Sequence, residues 1–395
     1  MPYLGEMRRP KPAVVPARAD NVVLSEVASA LFWSLPRSDQ RLKGVQYLRG
    51  LLGVPGRKTV RNIATLLGGQ ATEQSLQHFI GESTWDWVPV RQALARYVVG
   101  SAPPQAWVVR PMVIPKAGER SVGVYKDFFP AFGRVLNAQQ AVGVWAASEE
   151  VSNPINWRLR LPESWLADDF RRRRALIPDD VRAESSGDCA FEAFLETAVR
   201  DELPHLPVVL DARDIDAAEA IERFRAARVP LLARCCHSAR ITVADRGLPG
   251  HTGGLLPTHQ IMAAAKDTRR PVLSAGHGSL SRATLAATVR VRTPYQPKET
   301  EDLTLLGTGE IGQNWPAQIW LTNLTAAEPS TLVRLAQLTD RVDRDFLEVS
   351  DQVGIRDYTG RTFPGWHRHV TIASAAHVVI TQQHLKTQRR GSYVS

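Results

Sequence analysis

The stretch Trp107-Val108-Val109-Arg110-Pro111-Met112-Val113-Ile114-Pro115-Lys116-Ala117-Gly118-Glu119-Arg120-Ser121-Val122-Gly123-Val124 is where the chain turns from helical to extended patterning. Its first half is a run of aromatic and branched apolar residues broken by Arg110 and Pro111, and its middle is a polar, glycine-containing turn. Trp107 to Ile114, Ser121 to Phe129 and Gln139 to Ala147 therefore read as three consecutive strands. Downstream, a helix near Ala190 to Val199, a strand from Leu206 to Leu210, a helix from Ala217 to Ala227 and a strand from Pro230 to Ala233 alternate, which indicates parallel pairing. Upstream the spacing is helical in Leu42 to Leu52, Thr59 to Leu67, Glu73 to Ile80 and Val88 to Val99, with breaks at Pro55-Gly56 and Gly68-Gly69.

The chain has 395 residues, 44% of them hydrophobic, enough for two or three domains with a sizeable core. Three cysteines (Cys189, Cys235, Cys236) are too few for a disulfide framework, so a reducing, cytoplasmic setting is expected. No apolar run reaches the roughly 18 residues that cross a bilayer, and the start lacks a signal peptide's apolar stretch. A formal charge of +9 favours a polyanionic partner, since phosphate contacts release counterions.

Longer blocks carry a family likeness. The opening stretch resembles the active-site strand of bacterial insertion-sequence transposases with a ribonuclease-H-like DDE domain, which reads roughly Trp-Val-hydrophobic-Asp-Asp/Glu-Thr-Gly-Phe-Pro-Lys-Lys-Gly, followed by Ser-Val-Gly-Val. Arg110 and Pro111 stand where the two acids belong. Asn156-Trp157-Arg158-Leu159-Arg160-Leu161-Pro162-Glu163-Ser164-Trp165 resembles a second block of that family, and Val208-Val209-Leu210-Asp211-Ala212 the strand ending in its second catalytic Asp. There, Arg213-Asp214-Ile215 replaces the usual Gly-Tyr-Gly. Arg341-Val342-Asp343-Arg344-Asp345-Phe346 is similar to the helix with the third acid, so Asp343 takes the place of the catalytic Glu and Ser350 that of a common Lys. Tyr358 to Arg361 and Gly365 to Thr371 match the closing block. The likeness runs from about Phe32 to His384.

It implies an α/β fold: a ribonuclease-H-like mixed sheet with a helical N-terminal domain and a β-rich insertion. The expected organisation is a flexible arm (1–27), a helical domain (28–102), the first part of the ribonuclease-H-like domain (103–237), the insertion (238–326), its C-terminal helices (327–385) and a basic tail (386–395).

The chemistry implied by the resemblance is in-line attack at phosphorus, with two divalent metals about 3.5–4 Å apart held by three carboxylates. Arg110 has no acceptor and stays protonated, so it repels a metal and is expected to pair with one of the remnant acids, Asp211 or Asp343. The reading is thus a transposase-like protein that has lost catalysis and needs no cofactor; Mg²⁺ or Mn²⁺ enters only if the site survives, on Asp211 and Asp343. One rival is an active transposase with a displaced carboxylate from Asp214, Asp216 or Asp127. Asp216 with Glu219 also fits a capping box. Another rival is a regulator or small-molecule enzyme holding an anionic ligand near Arg110 and Arg213. DNA is the expected partner and a homodimer a compatible assembly. Arg57 and Lys58 ahead of a helix start, with Lys116, Arg120, Lys126 and Arg213, are the candidate DNA contacts, and Arg171 to Arg174 add a basic cluster. Cys235-Cys236-His237 reads as strand-end packing rather than a zinc site, because four ligands are lacking. His367 and His369 are expected to pack or to face DNA.

Overall fold

In the computed structural model, the described residues are 21–392 apart from 201–202, 246, 249–253, 274–282 and 297–299. Five helices come first: α1 (Asn21–Phe32), α2 (Ser38–Gly53), α3 (Val60–Leu67), α4 (Gln70–Gly81) and α5 (Trp87–Ser101). Helix α1 begins inside the stretch read as an arm, because Val23, Leu24 and Val27 bury an apolar stripe. Residues 1–20 of that arm lie outside the described residues.

Strands β1 (Ala106–Pro115), β2 (Tyr125–Phe129), β3 (Arg134–Ala147) and β4 (Ser152–Arg160) follow, then short helices α6 (Glu163–Leu166) and α7 (Asp169–Arg174) and the longer α8 (Ser186–Arg200). Next come β5 (Val208–Asp211), α9 (Ala217–Ala226) and β6 (Leu231–Arg234). The segment read as an insertion contains β7 (Arg240–Val243), β8 (Leu255–Pro257), α10 (Thr258–Ala264), β9 (Arg270–Leu273), β10 (Ala283–Arg292), β11 (Leu303–Glu310) and β12 (Gln318–Thr322). Two helices close the chain, α11 (Pro329–Asp345), which runs into a π turn at Phe346–Ser350, and α12 (Phe363–Ser392). Helix α12 therefore continues through most of the stretch read as a basic tail.

All strands among the described residues join one mixed sheet. Its order is β2-β3-β1-β5-β6-β12-β11-β10-β7-β8, with β4 on β3 beside β2 and β9 on β10. Strand β1 is antiparallel to β3 and parallel to β5, and β5 is parallel to β6. This is the mixed α/β, ribonuclease-H-like arrangement the sequence led us to expect. Strands β7 to β12 extend the same sheet, because β12 pairs antiparallel with β6.

Two local differences from the sequence reading have clear causes. The second strand starts at Tyr125, not Ser121: Gly123 has φ +75°, and Val124 N–H closes a turn on Ser121 O at 3.2 Å. Strand β4 is buried along nearly its whole length, so it lacks the alternation that marks a half-buried strand.

Pro111 is tolerated in β1 because the pairing with β5 covers only Trp107 to Val109. Beyond that point β1 has a free side, where a missing N–H costs little. The core beneath the sheet is aromatic. Trp145 meets Trp157 edge-on at 6.0 Å and Phe346 at 6.2 Å, with both indoles buried. Each such ring is worth on the order of 5 kcal/mol as an upper figure. Gly143 makes the packing possible: a Cβ there would lie 2.8 Å from Trp157 and 2.9 Å from Trp145.

Candidate active-site cleft

The parallel register builds a row across three strands. Val109 is level with Leu210, so Arg110 follows at the height of Asp211, which pairs directly with Arg234 of β6. Helix α11 crosses this row and contacts β1, β5 and β6, bringing Asp343 and, one turn earlier, Asp340 to the same place. The result is a cleft of about 810 Å³ lined by five arginines (110, 213, 234, 344, 356) and five carboxylates (211, 214, 310, 340, 343). Its lining has no formal charge excess of either sign.

Arg110 Nε donates to Asp343 Oδ1 at 2.5 Å, and its guanidinium lies 4.8 Å from the Phe346 ring centre. Arg213 Nε donates to Asp211 Oδ1 at 2.7 Å, and a second guanidinium nitrogen pairs with Oδ2. Burial raises the Asp211 carboxyl, but the Arg213 hydrogen bond, with the charges of Arg213, Arg234 and Arg110, outweighs it and leaves the group below its ordinary value. Asp340 is shifted the other way. Water reaches it, yet the cleft walls and then the neighbouring Asp343 charge raise its carboxyl, against the pull of Arg234. Arg234 is held below its ordinary value by burial first and by Arg213 second.

This donor set does not fit a divalent metal. The Arg110 guanidinium stands level with Asp211, Asp211 and Asp343 are each tied to an arginine, and no three His, Cys, Asp or Glu side chains are placed together to hold a metal ion among the described residues. Like charges 4 Å apart repel by about 4 kcal/mol at an effective dielectric of 20, and the figure doubles for a divalent ion.

The displaced-carboxylate candidates separate. Asp214 lines the cleft. Asp216 caps α9, accepting from Ala218 N at 2.9 Å and Glu219 N at 3.2 Å. Asp127 sits on the edge strand β2, where it accepts from Phe128 N at 2.8 Å.

The six candidate DNA contacts also divide. Arg57, Arg120 and Lys126 are exposed, with Arg57 3.6 Å from Asp357. Lys58 must be corrected: it is buried, its ammonium donates to Val54 O, and its N–H is held by Asp357 at 2.8 Å. Lys116 likewise turns inward, donating to Tyr358 O at 2.7 Å; burial, followed by the Arg57 charge, pushes it down to about 8. Both lysines satisfy carbonyls at helix and loop ends, which a sequence shows only as cations near a turn. Arg213 is engaged by Asp211.

His367 and His369 pack. His369 Nε2 donates to Gly354 O at 2.8 Å, so Nδ1 accepts from Tyr47 Oη at 2.8 Å, and burial lowers this imidazole to about 4. Ser350 bonds His377 Nδ1 at 2.8 Å in the core. Cys189 and Cys235 are buried, and all three cysteines are free thiols.

Sequence reasoning missed Arg234 and Asp340. Helical spacing puts Asp340 on the face of Asp343, so that residue was within reach. Arg234 needed the register of β5 and β6, which no single-strand pattern contains.

A ribonuclease-H-like sheet with acids at the ends of β5 and on α11 defines the class as a DDE-type nuclease fold. The family model described as DDE superfamily endonuclease matches residues 30–259, and the chain belongs to that family, which makes it a transposase-like protein of the DDE superfamily. The matched part includes β1, β5 and β6 and ends before α11, so the place of Asp343 rests on geometry. No curated protein matches the chain.

Proposed function

We propose that this chain is a transposase-like protein that binds DNA without cutting it, its metal site having given way to arginine–carboxylate pairs. The observation that carries the reading is the 2.5 Å contact between Arg110 Nε and Asp343 Oδ1, at the position of the first metal-bridging acid. It is supported by the Arg213 pairing with Asp211 and by the charge balance of the cleft. Arg57, Arg120, Lys126 and the α7 arginines are the phosphate contacts of this reading, in line with the charge of +9. Among the described residues no helix is long and apolar enough to cross a membrane.

One observation favours a second reading, an active nuclease with a displaced acid: Asp340 and Asp214 both line the cleft. Anisotropy with mixed-sequence duplex DNA, and nicking of supercoiled plasmid with Mg²⁺ or Mn²⁺, separate the two. Salt-sensitive binding without nicking is expected; metal-dependent nicking abolished in Asp211→Ala would establish the second reading instead. A protein that binds no DNA would defeat both.

A further inference from the structure

The β2–β3 hairpin stands at the free edge of the sheet and presents apolar surface that the core does not use. Phe128 and Val135 are cross-strand partners, 54% and 56% exposed. Alternation along β2 puts Lys126 on the face of Phe128 and sends Tyr125 and Asp127 to the other. The hairpin tip runs through Pro130–Phe132, and Phe132 lines the cleft.

At its other end the hairpin adjoins α7. The Trp165 indole donates to Val124 O at 2.8 Å, and the Arg171 guanidinium lies 4.0 Å from the Trp165 ring centre. Arg171 also reaches Glu119 O at 3.4 Å, which brings exposed Arg120 alongside. Arg173 and Arg174 are exposed on the same short helix.

An exposed aromatic–aliphatic pair flanked by cations fits a partner that is anionic outside and apolar inside. Duplex DNA has that chemistry, with phosphates around stacked bases. A second copy of this chain would set Lys126 and the α7 arginines against their own like charges.

We propose that the β2–β3 hairpin is a wedge that enters a groove of bound DNA, Phe128 and Val135 prying a base step apart while α7 and Arg120 hold the flanking phosphates. This rests on the DNA-binding reading above. Pyrimidine–purine steps unstack most readily, so TA and CA steps are the favoured points of entry.

The test uses a mixed-sequence duplex carrying 2-aminopurine at TA steps and a donor–acceptor dye pair at its ends. Affinity, base unstacking and bending are read together for the wild type, for Phe128→Ser/Val135→Ser and for Arg173→Ala/Arg174→Ala. The wild type is expected to raise 2-aminopurine fluorescence and to bend the duplex by about 20–90°. The hairpin variant should lose both signals while its affinity stays within about tenfold. The α7 variant should bind more weakly, with a salt slope smaller by about 1 per lost cation.

Wild-type binding without unstacking, or an equal bend from the hairpin variant, overturns the wedge and leaves the DNA-binding reading intact. A wild-type dimer that the hairpin substitutions dissociate, with no bend, also overturns it and assigns the surface to a second copy. Absence of DNA binding in all three proteins overturns the wedge together with the reading it rests on.

Discussion

The cleft and the α12 layer beneath the helical head are built from the same kinds of side chain, arginines and their acceptors, yet they use them differently. In the α12 layer the polar residues are buried and mutually bonded: Arg91 donates to Asn156 Oδ1 at 2.9 Å and to Thr371 Oγ1 at 2.8 Å, and Arg368 to Trp85 O at 3.0 Å. In the cleft Arg110 pairs with Asp343 and Arg213 with Asp211 at side chains that solvent still reaches. Packing residues cannot be exchanged without opening a cavity or stranding a buried polar group. Metal ligands lie at a solvent-reached surface, where a carboxylate and a guanidinium satisfy each other. Fold and chemistry are therefore separable in this architecture.

The largest expected effect lies in the packed layer. Trp157→Ala removes a buried indole whose Nε1 donates to Ser374 at 2.9 Å, and chemical denaturation should show a loss of about 3–5 kcal/mol. A loss below about 1 kcal/mol would break the contrast, since core substitutions of this kind rarely cost so little.

Acid should act on the same layer. His369 and His377 are each lowered by burial to about 4 from an ordinary 6.5. The unfolded chain thus binds more protons between those values, and stability is lost as pH falls from about 6.5 towards 4. Thermal melts across that window should show a falling Tm, and His377→Gln should flatten the slope. An unchanged slope would remove His377 from the account.

Arg110→Ala should cost much less, about 1 kcal/mol or below, because Asp343 is one-third exposed and its ion pair is screened. A loss comparable to that of Trp157→Ala would show that the cleft is a packing site after all.

Arg120→Ala and Lys126→Ala should leave stability unchanged and lower the slope of log affinity against log salt by about 1 each. Lys116→Ala should leave that slope alone, since its ammonium is spent on Tyr358 O. Equal effects from the three would show that burial does not decide which cations meet DNA.

The helices were legible where apolar residues recur clearly at helical spacing, as in α3 and α9, and β1 from its run of branched and aromatic residues. Strand β4 was hidden by burial on both faces and α1 by its position in a stretch read as an arm. The pairing of Arg110 with an acid was legible because a guanidinium beside remnant carboxylates has one cheap resolution. Which acid it takes depends on how α11 crosses β1, and the inward turn of Lys58 and Lys116 depends on loops that meet from distant parts of the chain.

Calorimetric titration of Mn²⁺ tests most directly the proposal that arginine has closed a metal site in the cleft. The wild type is expected to bind no Mn²⁺, and Arg110→Asp, which restores a third carboxylate beside Asp211 and Asp343, is expected to gain binding. Wild-type binding that disappears in Asp211→Ala would contradict the account.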